Sequence, residues 1–193
     1  MRINDHYGRE DRDRFPGKGP VMGEVRTYEN FPAPLVAVTV LVTISIYALG
    51  ALILTGLGPV VAAVYLLYCA YFEVRVMRHS CVNCCYYGKV CGLGRGKISA
   101  YLFPQGDPGT FARMSITWTA LIPDMLIMLL PLIGGIILLV RSFSWPVAAG
   151  MVLLVALSLG GTAFVRGQIA CKYCKQREIG CPAEKFFGGA QAP

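Results

Sequence analysis

From Asn30 to Phe72 the chain runs for 43 residues without one charged side chain. A bilayer crossing takes about 20 apolar residues, so this stretch holds two spans and a turn. Gly56-Leu57-Gly58-Pro59 supplies the turn, and Pro59 is suited to open the second helix. The sequence predicts one helix from Leu35 to about Thr55 and a second from Pro59 to about Met77. Two further runs repeat the pattern. Met114–Val140 contains only Asp124 as a charge, and Ser142–Val165 contains none, with Arg141-Ser142-Phe143-Ser144 between them. Four such runs exclude an ordinary soluble core. They also account for 55% apolar against 15% charged residues, where a soluble domain carries about 25% charged.

Lys and Arg set the orientation, because positive residues are retained on the cytoplasmic side. Six precede the first span, six lie between the second and third, and five follow the fourth, so 17 of 18 share one side and only Arg141 is opposite. The expected fold class is therefore all-α. It is a polytopic protein of the cell membrane, with four transmembrane helices as two tandem hairpins and both termini cytoplasmic. The corresponding segments are a tail at 1–33, hairpin one at 34–78, a cysteine loop at 79–114, hairpin two at 115–166 and a cysteine tail at 167–193. The polar stretch before the first span lacks the h-region of a signal peptide. Alternating charges through Arg9-Glu10-Asp11-Arg12-Asp13-Arg14 mark it as a solvated, disordered tail. The net charge of +7 is thus explained by orientation, and no nucleic-acid partner is expected.

Seven of the eight cysteines fall in the two cytoplasmic segments. Cys81, Cys84 and Cys91 spell C-x2-C-x6-C, and Cys171, Cys174 and Cys181 spell it again 90 residues later. Each triad begins close to the end of an even-numbered span. The unit of helical hairpin plus triad is therefore read as an internal repeat. Each copy crosses the bilayer twice, so the copies share one orientation, and a pseudo-twofold axis along the membrane normal would bring the triads together. Outside the cysteines the copies share little.

A C-x2-C turn lets two thiolates reach one ion, and structural zinc sites commonly use such pairs. This ligand spacing resembles the six-cysteine binuclear zinc cluster of fungal transcription factors, over Cys81–Cys91 and Cys171–Cys181 only. This chain departs from that pattern, since two membrane helices replace the short loop that normally joins the halves. The resemblance implies metal-ligand roles for Cys81, Cys84, Cys91, Cys171, Cys174 and Cys181. It implies nothing about DNA. The excess negative charge of such a cluster can be offset by Lys89, Arg95, Lys97, Lys172, Lys175 and Arg177. Two other chemistries stay open. Four thiolates also suit an iron–sulfur cluster, although the C-x2-C-x2-C run is missing. Redox thiols, as in four-helix membrane thiol oxidoreductases that pass electrons to quinone, fit less well, because these thiols face the reducing side.

Cys85 has no counterpart, since Lys175 stands in the matching place, and is read as a spare thiol. Cys69 is a packing residue inside the second span. His79 lies near the first triad, but Ile169 replaces it in the second, so it is read as interfacial. Asp124 enters the third span by about 9 Å, near the interface, where Arg75 or Arg113 can pair with it; the sharper alternative is a proton or cation site in a transporter. Pro123 and Pro131 interrupt the same helix and free carbonyls that neighbours must satisfy. The run Gly92–Lys97 lacks the Ser/Thr and the preceding strand of a phosphate loop and reads as a basic loop, followed by a short interfacial segment at 97–103. Tyr86, Tyr87, Phe103, Phe111 and Trp118 read as an aromatic belt, and the pairs Gly134-Gly135 and Gly160-Gly161 as points of close helix approach. No paired carboxylates, Ser/His/Asp set or H-E-x-x-H motif is present, and an enzyme is not expected. The function expected is a small membrane subunit or scaffold with a zinc-type site that docks a protein partner; the alternative is a membrane electron carrier with an iron–sulfur centre.

Overall fold

A computed structural model describes residues 27–114 and 118–181, with backbone only for 118–120 and 179. The described chain is helical and contains no β-strand. Four of its helices are long and apolar enough to cross a membrane: Ala33–Thr55, Pro59–Asn83, Leu121–Arg141 and Trp145–Ala170. Helix α1 is Ala33–Thr55 and α2 is Pro59–His79. The turn between them closes with Gly58 donating to the Thr55 carbonyl at 3.0 Å, and Gly58 holds φ +138°, which a side chain disfavours. In the loop that follows, α3 is Arg95–Leu102 and α4 is Pro108–Arg113, the latter capped by Asp107, which accepts from the Gly109 N–H. Helix α5 is Trp118–Arg141. The fourth span starts as α6, Trp145–Val155, then widens into π-type turns at Ala156–Gly161 and Val165–Ala170 around α7, Thr162–Phe164. Such widened turns gather at functional sites, and the second one ends where Cys171 begins. A last short helix, α8, is Gln176–Ile179.

Helix α1 packs on α2, α5 and α6, α5 packs on α6, and α2 touches α5. Exchanging the hairpins maps α1 onto α5 and α2 onto α6, and this contact pattern maps onto itself. The central pair is α1 with α5. Their core holds Ile46, Ile53, Leu54, Ala62, Tyr65, Cys69, Ile127 and Leu154. Large apolar residues such as Leu52, Val60, Leu67, Val140 and Val152 point outward on every span, which suits a bilayer environment and no aqueous one.

The glycine pairs divide. A Cβ on Gly134 would meet Leu54 and one on Gly135 would meet Met151, so α5 approaches its neighbours there. Gly160 faces open space, while Gly161 lies near Val42 of α1. Only Gly161 of the second pair serves packing.

Pro131 has no N–H, which leaves the Ile127 carbonyl one turn earlier without its helical partner. The Tyr65 hydroxyl of α2 donates to that carbonyl at 3.0 Å, and one turn away Tyr68 donates to the Pro123 carbonyl at 2.8 Å. The Tyr65 ring lies over Gly50 of α1, where any Cβ would collide with it. Tyr65→Phe orphans a buried acceptor and is expected to cost about 1–3 kcal/mol. In Pro131→Ala the helix reclaims Ile127, so the same tyrosine substitution should cost markedly less. A double-mutant cycle by denaturation in detergent measures the difference; additive effects would refute the pairing.

Candidate functional site

Both C-x2-C segments fold alike. In the first, α2 ends at His79 and one tight turn covers Cys81–Asn83, so that the Cys84 N–H reaches the Cys81 carbonyl at 3.3 Å and Tyr87 reaches Cys84 at 3.0 Å. In the second, Cys174 reaches Cys171 at 3.3 Å and Arg177 reaches Cys174 at 3.2 Å. Each bond has its counterpart 90 residues on. The sulfurs match as well: the Tyr86 N–H near Cys84 and the Gln176 N–H near Cys174 each favour the thiolate. Backbone N–H groups aimed at sulfur stabilise thiolate over thiol, which is the form a metal needs.

The two turns face each other through a reciprocal pair of bonds. The Cys85 N–H donates to the Gln176 side-chain oxygen at 2.9 Å, and the Lys175 N–H donates to the Tyr86 hydroxyl oxygen at 3.1 Å. Lys175 is the repeat counterpart of Cys85, and Gln176 that of Tyr86. Both receiving side chains are buried, at 3% exposure for Tyr86 and 2% for Gln176. Two independent bonds related by the same exchange are what a local pseudo-twofold axis produces.

Around this axis Cys84, Cys85 and Cys174 come together. The Cys85 thiol donates to the Cys84 sulfur, which, against the effect of burial and with the backbone N–H groups, holds Cys84 below the usual thiol range and pushes Cys85 up. Burial pushes the Cys174 thiol up to about 12; the Gln176 N–H opposes this, and nearby Cys84, Cys171 and Cys181 add to it. Cys81 stands in electrostatic reach of Cys91 and Cys84. Cys84 and Cys174 thus stand in electrostatic reach of each other across the repeat. No disulfide forms among the eight cysteines, all of which lie in the described residues. Among the described residues no group of three or more His, Cys, Asp or Glu is gathered tightly enough to hold a metal ion.

The third cysteine of the first triad is fixed by α3. Gly96 N–H donates to the Cys91 sulfur at 3.3 Å, and the Gly96 carbonyl accepts from Gly88 at 3.1 Å. Arg95 anchors that helix to the bundle: its guanidinium meets Glu73 of α2 at 2.6 Å, and the same carboxylate oxygen accepts from Tyr47 of α1 at 2.6 Å. Thr39 of α1 donates to the Gly92 carbonyl at 2.7 Å. The glycine run is therefore a docked loop and helix, because Gly94 adopts φ +76° to start α3 and Gly92 presses on Ala170 and Phe31.

Residues 28–31 form a strap across both cysteine segments, although the charge pattern predicts solvated tail to residue 33. Tyr28 N–H donates to Tyr173, its carbonyl accepts from the Tyr86 hydroxyl, and Phe31 N–H donates to Val90 at 2.9 Å. Glu29 pairs with Lys89 of the first loop and Lys175 of the second. The charge alternation ends at Arg14, and the aromatic residues Tyr28 and Phe31 supply apolar surface that docks, with Phe31 5.7 Å from Tyr86. His6 and residues 1–26 lie outside the described residues, as do the side chain of Trp118 and the chain beyond Cys181.

Sequence reasoning placed Tyr86 in an aromatic belt and overlooked Gln176, Glu73 and the strap. Tyr86 belongs to the site instead, since its buried hydroxyl finds two backbone partners there, at Tyr28 and Lys175. Cys69 is buried in the bundle core. His79 is exposed, and its carbonyl accepts from Asn83 at 3.0 Å. Arg113 binds Asp107 at 3.2 Å, and no ion pair among the described residues includes Asp124. Compared with protein-family models, curated proteins and solved structures, the chain finds no match.

Proposed function

We propose that this is a small integral membrane subunit or scaffold whose two cysteine triads bind a thiophilic metal ion, zinc first among them, on the cytoplasmic face. The observation that carries this reading is the pair of pseudo-symmetric C-x2-C turns, docked by reciprocal bonds, each with a backbone N–H directed at sulfur. Hydrogen-bonded thiolates from two C-x2-C turns are the donor set of a closed structural zinc site. The ligands are Cys81, Cys84, Cys171 and Cys174, with Cys91 and Cys181 completing a two-ion cluster. The metal would clamp the ends of the second and fourth spans and hold the loops as a docking surface for a protein partner. The distribution of Lys and Arg supports placing this surface, and both termini, in the cytoplasm.

Amide-to-sulfur bonds serve iron–sulfur centres equally, so an electron carrier is the second reading. Anaerobic purification followed by metal analysis, acid-labile sulfide assay and a visible spectrum separates the two. Stoichiometric zinc without a visible band is the expected result. Iron with sulfide would replace it by the electron carrier, and protein free of both metals that also fails to take up zinc would overturn metal binding altogether.

A further inference from the structure

Gln176 makes more contacts across the site than any symmetry argument requires. Its carboxamide oxygen accepts from the Cys85 N–H at 2.9 Å and lies 3.5 Å from the Cys84 sulfur, which donates to it as a thiol. Its carboxamide nitrogen donates to the Gly180 carbonyl at 3.0 Å, immediately before Cys181. Its own backbone carbonyl accepts the Gly180 N–H at 3.0 Å, and its N–H points at Cys174. One residue thus touches the second cysteine of both triads and the chain leading into the third cysteine of the second.

Glutamine is seldom fully buried, and burial of a carboxamide costs free energy unless both ends are bonded. Here both ends are. The helix that carries it, α8, has only four residues and cannot hold its own shape by local bonds. Its placement must therefore come from tertiary contacts, and the Gln176 oxygen supplies one while its nitrogen ties the local segment to Gly180. Tyr86 is its counterpart: it accepts from Lys175 and donates to the strap at Tyr28, fastening the second turn to the first.

We propose that Gln176, with Tyr86 as its pseudo-symmetric partner, is the positioning residue that sets the two cysteine turns in register for shared metal binding. The inference rests on the metal-binding reading and adds to it the group that aligns the ligands. Cys84 gives up its bond to the carboxamide when it loses its proton, and the Cys85 N–H remains the bond across the repeat. Gln176→Met matches the length of glutamine and lacks every polar bond of the side chain. Glutamate keeps the acceptor for Cys85, loses the donor to Gly180, and brings a negative charge beside the sulfurs.

The test is cobalt loading of full-length Gln176→Met, Gln176→Glu and Tyr86→Phe, read by the sulfur-to-cobalt charge-transfer and ligand-field bands and by chelator competition. Residues that orient metal ligands typically contribute about 10- to 100-fold in affinity. Gln176→Met should weaken cobalt binding by that factor, and its ligand-field bands should leave the tetrahedral thiolate pattern; Tyr86→Phe should do the same to a smaller extent. Wild-type spectra and affinity in a folded Gln176→Met protein would overturn the proposal. So would Gln176→Glu behaving like wild type, if the methionine protein does not fold. A second readout needs no metal. In metal-free protein retaining only Cys84 and Cys174, a short dithiol-reactive fluorogenic cross-linker should bridge the pair, and Gln176→Met should lose the bridge. Undiminished bridging would overturn the positioning role. Wild-type protein that binds no metal yet shows the bridge and its loss would refute the metal reading alone.

Discussion

If the triads bind metal as proposed, serine at Cys84 or Cys174 is expected to abolish that binding. Oxygen is a poor substitute for a thiolate at a zinc-type centre, and these two cysteines stand in electrostatic reach of each other across the repeat. Structural zinc sites contribute about 10–16 kcal/mol of apparent binding free energy. Shared among four thiolates, this is about 3 kcal/mol each, or roughly a hundredfold in affinity per ligand. Purification through detergent exchanges metal for hours, so a hundredfold loss should appear as a fall from stoichiometric metal to a small residue. Cys81→Ser and Cys171→Ser should behave alike, since each is the partner in a C-x2-C turn of the same geometry. Cys69→Ala is the control, because that thiol lies in the bundle core far along α2 from the turn. Cys85→Ser should retain most of the metal, as Cys85 donates to Cys84 without belonging to the repeat. Metal content per protein decides the matter. Full occupancy in both Cys84→Ser and Cys174→Ser would refute the shared site.

Metal that binds only the folded loops also stabilises them by mass action. The serine variants should therefore lose protection in the cysteine segments, Cys81–Cys91 and Cys171–Cys181, while hydrogen exchange in α1 and α5 stays unchanged. That contrast follows from the layout, in which the bundle core around Ile46, Tyr65 and Leu154 contains no group from the triads.

The spans were legible because a charge-free run of about 20 residues is what a membrane-crossing helix needs, and the four long apolar helices fall on those runs. Proline effects were legible for a similar reason, since a missing N–H at Pro131 has a fixed consequence at Ile127. The repeat spacing marked the cysteines. What sequence could not give is the identity of partners across the repeat, because Tyr86 and Gln176 are chemically unlike and share only an oxygen acceptor at the same offset. Nor does a charge-free run reveal that the first acidic residue after it, Glu73, binds Arg95 and Tyr47. The glycine run was ambiguous in kind. Glycine permits a loose loop and a tight contact equally, and only the neighbours decide.

Gly96→Ala is the sharpest test of that tight contact. A Cβ at Gly96 would stand 2.4 Å from the Lys89 carbonyl oxygen and 2.4 Å from that of Tyr86. Both obstacles are backbone, and both belong to the first cysteine segment, so neither can swing aside as a side chain would. Helix α3 must retreat, which breaks the Gly96 bond to the Cys91 sulfur and the Gly88 bond to Gly96. Overpacking of this kind costs about 1–3 kcal/mol, and each lost bond adds about 1 kcal/mol. The expected outcome is a marked fall in thermal stability together with weakened metal binding through Cys91. Two alanine controls grade the effect. At Gly135 the obstacles are side-chain atoms, the Met151 sulfur and Cγ and the Ile53 Cγ2, which can shift where backbone cannot, so a smaller loss is expected. At Gly167 a Cβ meets nothing within 4 Å, so no loss is expected. If Gly96→Ala melts with Gly167→Ala and binds metal as tightly, α3 does not seat the cysteine loop. If it loses metal while α1 and α5 remain protected from exchange, the glycine run is the close contact through which the membrane bundle holds Cys91 at the site.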